Sequence, residues 1–63
     1  MKLHQQEIKI GDIKILKKDI DTLFCIIEKG DKVEVMGIGE RGYDIKEVIT
    51  GARAIECGFD IFE

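Results

Sequence analysis

The stretch "VEVMGIGERGYDIKEV", Val33 to Val48, constrains the fold more than any other part of the chain. Val33 and Val35 alternate with Glu34 and Met36, the period of a half-buried strand. Gly37, Gly39 and Gly42 follow in G-x-G-x-x-G spacing, and an apolar helical period begins just after them. A strand, a glycine-rich loop and a helix start are the outline of a dinucleotide-binding turn, and Glu63 has the separation of a ribose-binding acid. The details argue against that chemistry. Asp44 stands at the helix cap, so a carboxylate occupies the place where pyrophosphate would meet free N–H groups. Gly42 falls before the cap rather than inside the helix. A chain of 63 residues also supplies little more than one β-α-β unit. The glycines are read instead as shaping a strand-to-helix loop that presents Arg41.

The flanking segments complete the expected order. "EIKIGDIKIL", Glu7 to Leu16, alternates apolar and charged residues around "GD", which predicts a two-residue hairpin. In that register Ile10 faces Ile13, Ile8 faces Ile15, and Lys9 faces Lys14 on the opposite side. "DIDTLFCIIEKG", Asp19 to Gly30, predicts a first helix with Asp19 as cap and Ile20, Leu23, Phe24 and Ile27 as its apolar stripe. "YDIKEVITGARAIECG" predicts a second helix. Asp44 and Glu47 have capping-box spacing there, and Ile45, Val48, Ile49, Ala52 and Ile55 line one face. Gly51 lies inside that helix, where it permits close packing. "FDIFE" closes the chain as a strand with Phe59 and Ile61 inward. Right-handed crossovers place both helices on one face of the sheet. The predicted fold is α+β, a two-layer α/β sandwich of order ββαβαβ, forming a single domain over residues 1–63. Its open sheet face carries Leu16, Met36 and Phe62, an apolar set that predicts a homo-oligomer.

Composition narrows the function classes. No apolar run approaches the roughly 20 residues that span a bilayer, and "MKLHQQEIK" has no apolar core of a signal peptide, so a cytoplasmic protein is expected. Cys25 and Cys57 form no C-x-x-C and are read as free thiols. With His4 as the one histidine, they match no zinc spacing, and no metal or cofactor is expected. No catalytic constellation is present, which points to a non-enzymatic binding module. The net charge of −3 conceals an asymmetry, +3 over the first eighteen residues and −6 over the remainder. Lys9, Lys14, Lys17, Lys18 and Arg41 are the candidate contacts to an RNA or DNA backbone.

"LKKDIDTLFCIIEKG" followed by "VEVMGIGERGYDIKEVITGARAI" resembles the core of Alba-type proteins, a small nucleic-acid-binding fold. The resemblance covers roughly residues 13–63. It implies that Lys17 and Lys18, just before helix one, touch nucleic acid, and that Arg41, Gly42 and Ile45 match an R-G-x-x-I run entering helix two. That family is basic and ends in a C-terminal hairpin, whereas this chain is acidic. "VEVMGIGERG…GFDIFE" is similar to the opening of ACT regulatory domains, which implies small-ligand binding between subunits. "KGDKVEV…DIKEV…GFDIFE" is similar to TusA-type sulfur carriers, although their Cys-Pro-x-Pro is absent from this proline-free chain. Two function classes follow: nucleic-acid binding through the basic hairpin and loop, or an oligomeric protein-interaction or small-ligand module. An accessory domain with no ligand of its own is the third reading.

Overall fold

The computed structural model describes residues 8–62, in which every regular element is a β-strand. The strands are β1 (Ile13–Ile15), β2 (Ile20–Asp21), β3 (Ile26–Ile27), β4 (Lys32–Ile38), β5 (Tyr43–Glu47) and β6 (Arg53–Ala54). β1, β4, β5 and β6 form an antiparallel sheet in that order, and β2 pairs with β3 as a separate hairpin. The expected ββαβαβ sandwich is therefore wrong, since no helix occurs among the described residues. His4, Glu7 and Glu63 lie outside them.

β4 starts where the alternation places it. Val33 and Val35 are fully buried, and Met36 bulges out where the register shifts between Val35 and Gly37. The glycine run then turns the chain straight back rather than leading into a helix. Gly39 N–H donates to the Gly42 carbonyl at 2.8 Å, and Ile38 pairs with Tyr43 across the turn.

The residues assigned to helix two form a second hairpin. Ile45 lies opposite Val35 and Ala54, so it is buried by strands on both sides. The turn has its own chemistry. Gly51, at φ 79°, donates to the Glu47 carbonyl while Glu47 N–H donates to Ala52, the pattern of a glycine bulge closing a short hairpin. Thr50 donates to the Glu47 carboxylate at 2.7 Å from both its hydroxyl and its N–H. Asp44 caps no helix; it accepts the Glu56 N–H at 3.0 Å. The apolar stripe is consequently dispersed, with Ile49 87% and Ile55 73% exposed.

Helix one is replaced in the same way. Thr22 Oγ1 accepts the N–H groups of Phe24 and Cys25 and donates to the Cys25 carbonyl, a local bonding pattern that competes with helix. The chain reverses there, and Ile20 lies opposite Ile27. Asp19, the expected cap, accepts the N–H of Lys29 ten residues on. Ile20 and Ile27 reach the core, but Leu23 and Phe24 fall at the hairpin tip in solvent.

The N-terminal hairpin also fails to form. Asp12 N–H donates to the Lys9 carbonyl, which places the turn at Ile10–Gly11, and β1 pairs with β4 instead. Lys14 thus lies opposite Val33, not Lys9. At the other end Phe62 bridges Leu16, and Lys17 N–H donates to the Ile61 carbonyl, so the C-terminal segment returns from β6 to the β1 edge. Leu16, Ile20, Ile27, Val33, Ile45, Ala54 and Ile61 form one core. Each large side chain in it contributes about 1.5–3 kcal/mol relative to exposure. Phe59, expected inward, is 55% exposed, its ring edge-on to Tyr43.

Candidate functional site

The five cations expected to bind nucleic acid do not converge. β1 runs antiparallel to β4 with Ile15 opposite Lys32, and Leu16 N–H donates to Asp31. Lys17 and Lys18 therefore lie by the start of β4. Arg41 sits in the hairpin turn beyond Ile38, with six residue steps of strand between, about 20 Å. Lys9 belongs to the turn whose Gly11 donates to Val35, and Lys14 lies midway along β1. Lys18 Nζ is paired with Asp60 at 2.8 Å. That pair holds the Asp60 carboxyl below its ordinary range.

The apolar set fares similarly. Leu16 is fully buried because its backbone joins both the C-terminal segment and the β3–β4 connection, so it presents nothing to a partner. Phe62 packs on Tyr43 with ring centroids 5.1 Å apart, leaving Met36 as the exposed member. The glycines are structural. Gly37 faces Asp44, Gly39 closes the turn, and Gly42 is buried against the backbone of Gly58.

Sequence reasoning missed a groove on the surface of the molecule. The hairpin β2–β3 and the edge strand β6 face each other across an open groove of about 600 Å³. Asp21, Leu23 and Phe24 line one wall, and Arg53, Ile55 and Glu56 the other. The core residues Ile20 and Ala54 also reach it, so the groove is continuous with the hydrophobic interior. Leu23 and Phe24 are 94% and 93% exposed. Counting Asp19, which also lines the groove, three carboxylates meet one guanidinium. None of Asp21, Arg53 and Glu56 forms an ion pair among the described residues.

Cys57 also lines the groove, and burial, helped by the nearby Asp44 charge, raises its thiol pKa. That is the reverse of what activates a cysteine nucleophile. Among the described residues no group of three or more histidine, cysteine or acidic side chains is placed to hold a metal ion. No helix among them is long and apolar enough to cross a membrane. The groove combines apolar rims with mixed but mainly acidic charge. No known protein family, curated protein or solved structure matches the chain.

Proposed function

We propose that the protein is a small non-enzymatic protein-binding module whose site is the groove between β2–β3 and β6. The observation that carries this reading is the exposure of Leu23 and Phe24. Two adjacent large apolar side chains at a hairpin tip gain nothing for the fold in solvent, whereas a partner would bury both. Ile55 across the groove adds a third apolar surface. Aromatic and aliphatic anchors beside a polar rim are what small interfaces rely on. The free thiols of Cys25 and Cys57 favour a cytoplasmic setting.

Nucleic-acid binding through Lys9, Lys14, Lys17, Lys18 and Arg41 has weaker support. Phosphate neutralisation needs several cations on one surface, and these are strung along β1 and two turns. Panning a random peptide library on the domain tests the proposal. Enriched peptides should compete with one another and lose binding to a Leu23→Ser, Phe24→Ser variant that retains the native spectrum. Enrichment of nothing, or binding indifferent to those substitutions, would reject it.

A further inference from the structure

The groove is bounded by main chain that no other strand covers among the described residues. There β6 is the last strand of its sheet and pairs with β5 alone. In an antiparallel ladder, residues alternate between pairs that exchange hydrogen bonds and pairs that do not. Glu47 N–H donates to Ala52, so Lys46–Arg53 is a non-bonded pair and Ile45–Ala54 a bonded one. The N–H and C=O groups of Arg53 therefore turn away from β5. Those of Ile55 do the same, because the next contacts to β5 come from Glu56 and Cys57. On the opposite wall Thr22 N–H donates to Cys25, which makes Asp21–Ile26 the non-bonded pair and turns the main chain of Asp21 away from β3. An exposed strand edge is a template for another strand, and many proteins recognise extended peptides in this way.

We infer that the groove takes an extended peptide segment as an added strand on β6, with alternate residues cationic and apolar. The proposal rests on the protein-binding reading above and names the partner's chemistry. Arg53 and Ile55 offer hydrogen bonds to two partner residues spaced about 7 Å apart along the strand. The left-handed Glu56, φ 50°, bends the edge and limits the pairing to that length. Asp19, Asp21 and Glu56 outnumber Arg53, so lysine or arginine side chains on one face of the incoming strand meet complementary charge. Its other face supplies aliphatic residues to Leu23, Phe24 and Ile55. A peptide alternating lysine and valine has this pattern, because successive side chains of a strand point to opposite faces.

The test titrates the isotope-labelled, full-length protein with blocked hexapeptides and follows its amide spectrum. One peptide alternates Lys and Val, one alternates Glu and Val, and two are Lys–Val peptides N-methylated at the Lys or at the Val amides. The Lys–Val peptide should shift the amides of residues 19–24 and 53–57 and bind at least about tenfold tighter than Glu–Val. At least one N-methylated peptide should lose binding, and an Asp21→Asn, Glu56→Gln variant should bring Lys–Val close to Glu–Val. Because the methyl groups are on the peptide, this arm does not depend on a variant folding. Undiminished binding by both methylated peptides, or equal binding by Lys–Val and Glu–Val, overturns strand addition while leaving an apolar protein-binding groove. The panning result then decides the broader reading, which falls only if no peptide depends on Leu23 and Phe24. Groove shifts that follow the protein's own concentration, or that an oligonucleotide alone produces, assign the site to another occupant and overturn the inference.

Discussion

A Cβ built on Gly42 would lie 2.0 Å from the backbone nitrogen of Gly58, closer than any side chain can approach main chain. The close approach lets the segment after β6 cross over the β4–β5 turn on its way to Leu16. Gly42→Ala must push two backbones apart. It should cost about 3 kcal/mol or more, the upper range for overpacking, because the clashing atoms are not a flexible side chain. Urea denaturation checks this: a large drop in midpoint is expected, and an unchanged midpoint would refute the Gly42–Gly58 contact.

Gly51 makes the opposite case. No atom lies within 4 Å of its missing Cβ, so only its φ of 79° penalises substitution. Gly51→Ala should destabilise by about 1 kcal/mol, and Gly51→Asn by less, since Asn tolerates the left-handed region. In a helix the order would reverse, with Ala the better replacement for Gly. Thermal melts of the two variants distinguish the structures.

Glu47 ties pH to the same turn. The Thr50 hydroxyl first, then the Thr50 and Ile49 N–H groups, lower its carboxyl pKa, with burial opposing them. A carboxylate with a depressed folded pKa adds stability above its unfolded pKa, and that stability is lost as pH falls through the folded value. The wild type should therefore lose stability on acidification below the ordinary glutamate pKa of about 4.5. Thr50→Ala should be less stable at neutral pH and show a smaller acid-dependent loss. Parallel acid titrations of wild type and variant, followed by circular dichroism, measure the difference.

Cys57 should alkylate slowly. Its raised thiol pKa leaves little thiolate at mildly alkaline pH, and unfolding restores ordinary reactivity. Iodoacetamide labelling followed by mass spectrometry, with and without urea, reads the rate. Equal rates in both conditions would contradict the environment assigned to Cys57.

The strand at Val33 was legible because alternation and a following glycine turn both pointed one way. The strand at Ile13–Ile15 was legible from the same alternation, although its partner is β4 rather than residues 7–10. The remaining elements were not, and the cause lies in particular residues. Ile45, Val48, Ile49, Ala52 and Ile55 satisfy a helical period, yet Ile45 alone of them is fully buried. The β-branched Ile45, Val48, Ile49 and Thr50 and the turn-forming Gly51 were the signals for a hairpin, outweighed by periodicity. The helical period places Leu23 and Phe24 in a buried stripe, which hides them as candidate contacts. The groove itself was out of reach, since Asp21 and Arg53 stand 32 positions apart and only the paired hairpins bring them together. Lys18 shows the same limit from the other side, because its partner Asp60 is 42 positions away.

Titration of the labelled protein with a panned peptide tests the central claim most directly. Amide shifts should concentrate on residues 19–24 and 53–57, and Leu23→Ser with Phe24→Ser should abolish them. Shifts confined to Lys9, Lys17, Lys18 and Arg41 on adding an oligonucleotide, with the groove unmoved by any peptide, would contradict it.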